Sequence, residues 1–304
     1  MDLEPRQTEA FLAVADTGSF ERAAVRLSIT PSAVSQRIRA MESSLGAALI
    51  LRTRPARATP LGQRLLQYLR RAELLKNDLQ ADLLNLDAGP TTVSLALNSD
   101  SLGTWFFPAM ASLLAKDRFI FDLVVEDQDH TFALLKTGMV IGCISTDAEP
   151  MRGCSAEALG TMRYRLMAST SFCQRWLPDG LTRDTARRAP VVAYTRKDTL
   201  QSSFLLTHFG LPEGAYPCHY VPGAVAHFNA VRYGAGYAMV PEWLLSSEDH
   251  AGDPLIDLAP AHPTDIALYW HTWTVQSPRM EELSTHIVEA ARRILTIPAA
   301  APSR

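Results

Sequence analysis

Cysteine is scarce: four residues in 304, at 143, 154, 173 and 218, with no Cys-x-x-Cys pair. That excludes a disulfide scaffold and predicts reduced, mostly buried thiols of a cytoplasmic protein. The eight histidines form no His-Glu-x-x-His motif, and the adjacent Cys218-His219 falls on a predicted strand whose neighbours point to opposite faces. No metal site is expected. There is no phosphate-binding Gly-x-x-x-x-Gly-Lys loop, no Gly-x-Gly-x-x-Gly and no Gly-x-Ser-x-Gly elbow, so neither a cofactor nor a nucleophile–base pair is predicted. No run approaches about 18 uncharged apolar residues, which excludes a membrane-spanning helix. The opening Met-Asp-Leu-Glu-Pro-Arg-Gln-Thr-Glu is acidic where a secretory signal is basic and then apolar.

What is present is a chain of two-domain length, 47% hydrophobic and 20% charged, able to bury a large core. Its net charge is −3, unevenly spread. Between Asp16 and Pro60 seven arginines oppose only Asp16, Glu21 and Glu42, a local +4 that leaves −7 for the rest. A small basic head on an acidic body points to a local nucleic-acid contact.

The head is helical. Residues 5–16 carry Phe11, Leu12, Val14 and Ala15 and stop at Gly18; Ser19 caps a short Ala-rich helix; Thr30-Pro31 starts a third, which Gly46 stops. In the third helix Val34, Ile38, Met41 and Leu45 make one buried stripe. Ser32, Gln36, Arg39 and Ser43 lie opposite it, with Ser35 and Arg37 on the flanks. A Ser/Gln/Arg face carries the donors and acceptors that read base edges, and two short-linked helices give helix-turn-helix geometry. Leu49–Thr59 then reads as the wing of a winged helix, where Arg52, Arg54 and Arg57 contact phosphates. Thr59-Pro60 starts a long helix running to Gly89-Pro90, with a stripe of Leu61, Leu65, Leu69, Ala72, Leu75, Leu79, Leu83 and Leu86. A rod on the order of 43 Å with one leucine face pairs with a second copy or lies on its own C-terminal domain.

The remaining residues alternate strand and helix, which implies α/β architecture with a parallel sheet covered on both faces. Strands are predicted at 92–97, 121–126, 140–145, 164–168, 191–194, 219–221, 237–240 and 267–273, and a closing helix at 278–295. Segments near 163–168 and 266–271 would carry the chain out to a second lobe and back. Ligands of open α/β sheets bind beyond the carboxyl ends of the strands. Here those ends are polar: Asn98-Ser99-Asp100-Ser101, Glu126-Asp127-Gln128-Asp129 and Ser145-Thr146-Asp147. A helix start would hold a carboxylate, and Asp100, Glu126, Asp127 and Asp129 a cation. That pairing suits a basic amino acid, although Ser and Asp at such places also serve simply as caps.

Ser19-Phe20-x-x-Ala23-Ala24-x-x-Leu27, Ser32-Ala33-Val34-Ser35-Gln36-Arg37-Ile38, Leu45-Gly46-x-x-Leu49 and Thr59-x-x-Gly62 resemble the LysR-type transcriptional regulators. Leu95–Leu102, Val125-Glu126-Asp127, Pro217-Cys218-His219 and Leu268-Tyr269-Trp270-His271 resemble its lysine- and arginine-responsive ArgP/LysG subgroup. The resemblance implies a winged helix-turn-helix over 1–59, a dimerising linker helix over 60–89 and a two-lobed, periplasmic-binding-protein-like effector domain over 90–304. Lobe I would cover about 91–162 and 270–297, and lobe II about 163–269. It implies a homodimer, in the family usually a homotetramer, on double-stranded DNA without a membrane, controlling genes such as basic amino acid exporters. The DNA-binding set is then Pro31, Ser32, Ser35, Gln36, Arg37, Arg39, Arg52, Arg54 and Arg57. The effector set is Asn98, Ser99, Asp100, Ser101, Glu126, Asp127, Thr146 and Ala224. Two positions depart from the family pattern: Pro31 stands where Gln is usual, and Pro222-Gly223-Ala224-Val225 replaces a Ser-rich turn that often carries Glu. Other readings of the residues are a different effector, an α/β enzyme acting on an amino acid, or an architectural DNA protein.

Overall fold

The computed structural model describes residues 4–84, 89–126, 131–245 and 252–295. Three helices open it: α1 (Pro5–Thr17), α2 (Phe20–Leu27) and α3 (Pro31–Leu45). The Ser19 hydroxyl accepts the Arg22 N–H and the Thr30 hydroxyl the Ala33 N–H, so each of the last two helices starts on a side-chain cap. Val34, Ile38 and Met41 are buried against Ala10, Phe11 and Val14 of α1 and the small Ala23 and Ala24 of α2, which let the helices approach closely. Leu45, the predicted end of that stripe, is only half-buried.

The wing is a pair of two-residue antiparallel strands, β1 (Ile50–Leu51) and β2 (Arg57–Ala58). The Ala56 N–H donates to the Gly18 carbonyl at 2.8 Å, fastening the wing to the α1–α2 turn. The long helix α4 (Pro60–Leu84) follows. Thr59 caps it, accepting the Gly62 N–H at 3.0 Å while donating to the Ala48 carbonyl at 2.8 Å. A β-carbon at Gly62 would stand 2.2 Å from the Leu49 carbonyl oxygen, so only glycine lets α4 cross the wing here.

The leucine stripe of α4 divides. Leu65 packs into the winged-helix core with its neighbour Leu66, whereas Leu75, Leu79 and Leu83 are exposed at 41%, 57% and 72%; Leu86 lies outside the described residues. Another face of α4 lies on the chain's own C-terminal domain. The Arg71 guanidinium sits 4.2 Å over the Trp273 ring, and buried Asp78 accepts the Arg279 backbone N–H at 3.0 Å. Gln67 donates to the Lys136 carbonyl at 2.6 Å, and Arg70 reaches the carbonyls of Gly138 and Met139 as well as Asp16 at the end of α1.

The C-terminal domain begins with β3 (Thr91–Leu97), α5 (Ser99–Ser101), a π-helical turn over Leu102–Phe106 and α6 (Phe107–Leu114). Then come β4 (Phe119–Val125), α7 (Thr131–Lys136), β5 (Gly142–Ser145) and the long β6 (Cys154–Ser169). A second group follows: α8 (Thr170–Trp176), α9 (Arg183–Arg188), β7 (Val191–Ala193), α10 (Leu200–Phe209), β8 (Cys218–Tyr220) and α11 (Ala224–Arg232). The chain closes with β9 (Ala238–Pro241), α12 (Glu242–Leu245), β10 (Leu255–Asp257), β11 (Thr264–Trp273) and α13 (Pro278–Ile294).

The main sheet runs β10-β6-β11-β5-β3-β4, with β9 also on β6. It corrects the expected all-parallel sheet. β3 is parallel to β4 and β5, but every pairing of β6 and β11 is antiparallel. Apolar periodicity reports burial and not strand direction, and these two strands reverse the chain between lobes. β6 begins ten residues before the predicted segment because its first half pairs with β11 in lobe I and its second half with β9 and β10 in lobe II. The β6–β11 register shifts at Leu268/Tyr269, within the stretch of β6 that pairs with β11.

The Gly62 contact yields a test. Gly62→Ala should destabilise the winged helix by about 1–3 kcal/mol, the cost of overpacking a close contact. Thermal unfolding would show the winged-helix transition lowered, with DNA binding lost at lower temperature than in the unmodified protein.

Candidate functional site

The exposed face of α3 consists of Pro31, Ser32, Gln36, Arg39 and Ser43, with Ser35 and Arg37 half-buried beside it. Glu42 is turned away from that face. One of its oxygens accepts the backbone N–H groups of Leu49 and Ile50 at 2.8 and 3.2 Å, so the helix's one carboxylate secures the wing instead of repelling an anion. In the wing, Arg54 and Arg57 are exposed. Arg52 is placed differently: it donates to the Ser35 hydroxyl at 3.2 Å, and its guanidinium lies 5.2 Å over the Phe20 ring. It therefore braces α2, α3 and the wing as well as carrying charge. The whole predicted DNA-binding set is gathered on α3 and the wing.

The second candidate site is the cleft between the lobes, and here it is closed. Asn98 caps α5 by accepting the Ser101 N–H at 3.3 Å. From lobe II, the Ala224 N–H at the start of α11 donates to the Ser99 hydroxyl at 3.0 Å. A β-carbon at Gly103 would meet the Ala224 methyl at 2.7 Å, so glycine permits this approach of the two helix starts. Buried Asp100 accepts from the Tyr164 hydroxyl at 2.6 Å and from the Tyr194 hydroxyl of lobe II. Burial, and then the Asp100 charge, push both phenols well above their ordinary pKa, so they remain donors. The Lys197 ammonium, also from lobe II, lies 3.2 Å from Glu126 at the carboxyl end of β4.

Ser99, Asp100, Glu126 and Ala224 of the predicted effector set thus meet across the cleft. Asn98 and Ser101 are buried at the helix start, and Thr146 is half-buried after β5. Asp127 lies outside the described residues. Sequence reasoning missed Tyr164, Tyr194 and Lys197. The last two follow β7, and the strand-end rule that singled out 98–101 would have found them there.

Among the described residues no group of three or more His, Cys, Asp or Glu could hold a metal ion. The four cysteines are unpaired; Cys143 is buried and the others are half-buried, less buried than expected. Burial raises the Cys154 thiol to about 11 and Cys143 higher still, which keeps both protonated. No helix among the described residues is long and apolar enough to cross a membrane.

Residues 5–63 match the bacterial regulatory helix-turn-helix protein, lysR family, and residues 89–292 match the LysR substrate binding domain. The chain belongs to the LysR family. It is a DNA-binding transcriptional regulator of ArgP/LysG type. It is 38% identical over 284 residues to the HTH-type transcriptional regulator ArgP of Aeromonas salmonicida, covering 93% of this chain and 95% of that one. The crystal structure of ArgP from Mycobacterium tuberculosis superposes with a TM-score of 0.81 at 35% identity, covering 97% of this regulator and 100% of that chain. Full-length LysG from Corynebacterium glutamicum with bound effector Arg superposes at 0.74 with 34% identity and the same coverage.

One group in the regulator's cleft wall is pH-sensitive. His227 on α11 is 2% exposed, stacks on the Tyr194 ring at 4.3 Å and donates from Nε2 to the Val192 carbonyl at 3.2 Å. Burial lowers its pKa from 6.5 to about 4, against the opposing pull of that carbonyl. Folding favours the neutral ring, so its contribution is complete above pH 6.5 and is lost as pH falls towards 4. Burial pushes His271 in the same direction. Acidification from pH 7 to 4.5 should therefore lower the unfolding midpoint. His227→Phe should remove about 2–3 kcal/mol of that pH dependence in denaturant titrations at the two pH values.

Proposed function

We propose that this regulator reads an operator with Ser32, Ser35, Gln36 and Arg39, that Arg37, Arg52, Arg54 and Arg57 contact phosphates, and that Pro31 alters the family's contact at the helix start. A basic amino acid, lysine or arginine, bound between the lobes controls it. The single observation that carries the effector reading is the Lys197–Glu126 pair: the cleft already accommodates an alkylammonium on an acidic wall. The effector Arg bound by LysG, a relative alike over nearly the whole chain, supports the same reading. Ser99 and Ala224 supply a hydroxyl and a helix-start N–H for the effector's carboxylate. The altered turn at 222–225 contributes backbone there and no carboxylate.

The cleft's polar groups serve capping and lobe closure: Asp100 holds two tyrosines and Ser99 holds Ala224. That commitment suits a binding site and not an enzyme. The exposed leucines of α4 suit a linker over 60–89 that joins two copies between a DNA-binding domain over 1–59 and an effector domain over 90–304, with tetramers formed from dimers. Such a protein works in the cytoplasm, on genes for basic amino acid export or related metabolism. Effector binding changes lobe closure and so the population of DNA-bound shapes.

Thermal unfolding with millimolar lysine, arginine, histidine, ornithine and a neutral amino acid tests the effector. A ligand at 100 times its Kd stabilises by about 2.7 kcal/mol, and the shift is expected with lysine or arginine; no shift with either overturns the reading. On DNA, Gln36→Ala should cost about 1–3 kcal/mol at the operator and little on random sequence. Arg57→Ala should weaken both alike and reduce the salt dependence by about one phosphate contact. Equal losses for Gln36→Ala on both DNAs would remove Gln36 from the base-reading set.

A further inference from the structure

The chain places its own ammonium where a cationic effector would need to put one. Lys197 stands in the segment between β7 and α10, and that segment is held in place by its own side chains. Asp198 accepts the backbone N–H groups of Tyr194 and Leu200 at 3.2 and 3.0 Å, and the Thr195 hydroxyl accepts the Lys197 N–H at 3.2 Å. Tyr194, three residues earlier, is anchored on Asp100 across the cleft. The segment therefore delivers the Lys197 side chain towards lobe I, where its Nζ meets Glu126 Oε1 at 3.2 Å. A side-chain ammonium on four methylenes is the same group that a free lysine carries at its far end. Both would seek the same carboxylate.

We propose that Lys197 is a tethered competitor for the effector's side-chain cation, and that it sets the affinity and selectivity of the cleft. The inference rests on the basic amino acid reading above. An incoming cation must displace Lys197 from Glu126 before it gains the full attraction of that wall. Lys197 is 56% exposed and Glu126 35%, so the pair is weak and reversible in water. The displaced ammonium can return to solvent on its flexible stem. The device therefore raises the concentration at which a cationic effector binds without closing the site to it. An uncharged amino acid of the same length does not compete for Glu126 and is untouched.

The test is calorimetric titration of the full-length regulator and its Lys197→Met variant with L-arginine, L-lysine and L-norleucine, repeated in a Glu126→Gln background. Lys197→Met should tighten arginine and lysine binding by up to about fivefold, the size expected of a half-exposed ion pair. Norleucine should be unaffected, and the gain should vanish with Glu126→Gln, a coupling that a merely structural role would not produce. Binding of arginine or lysine by Lys197→Met but not by the unmodified protein would support the proposal in its strongest form. If the unmodified protein binds them and Lys197→Met binds them equally or more weakly, Lys197 is a closing strut, and the proposal fails while the effector reading stands. If neither protein binds either amino acid, both fail together.

Discussion

The Arg70 guanidinium donates to the carbonyls of Gly138 and Met139 in the effector domain and to the Asp16 carboxylate at the end of α1, and Asp16 also takes Arg26 of α2 at 2.8 Å. A planar, permanently charged fork suits this task, since it can satisfy acceptors from two domains at once. Its side chain is only 15% exposed, so withdrawing any partner leaves polar groups poorly solvated. Winged helix, linker helix and effector domain therefore meet at this one side chain, beside the further contacts that Gln67, Arg71 and Asp78 of α4 make with the effector domain. The 136–139 turn it grips directly follows α7, which is pinned to β5 by a 2.6 Å bond from the buried Thr131 hydroxyl to the Ile144 carbonyl. The joint with the DNA-binding domain is thus tied through α7 to the sheet strand β5.

The closed cleft has a different physical character. Among the described residues its lobes meet through polar contacts that include those of Ala224, Tyr194 and Lys197, and through the close packing of Ala224 on Gly103. Each such bond contributes on the order of 1 kcal/mol net. The joint is held by a largely buried guanidinium and the cleft by hydrogen bonds and one half-exposed ion pair.

The parts of this architecture legible in the sequence were those written in local chemistry. Ser19, Thr30 and Thr59 are caps, Pro31 and Pro60 stand at first helical positions, and Gly18 and Gly46 are stops, so the helix boundaries could be read without tertiary information. The Val34, Ile38 and Met41 stripe gave the outward face of α3 by geometry alone. What local chemistry does not encode is strand direction and long-range partnership. β6 and β11 looked like further parallel strands because a buried strand has the same composition either way. That Arg52 also braces Ser35 and Phe20 is not written in the sequence, because nothing nearby in the chain reveals them as its neighbours. Likewise Tyr194 and Lys197 meet Asp100 and Glu126 from across 94 and 71 residues of chain.

Met139 belongs to the effector domain in sequence, yet its side chain packs on the hydrophobic cluster of the winged helix. The boundary between the two domains is therefore not a boundary between two cores. A DNA-binding fragment cut within α4 leaves behind an apolar contact that its core normally has, and an effector domain expressed alone presents that methionine to water. Chimaeras follow the same logic: a winged helix exchanged between relatives keeps this contact only if the residue at position 139 suits it. Modular inheritance in such a protein would have to proceed by pairs of segments distant in the gene.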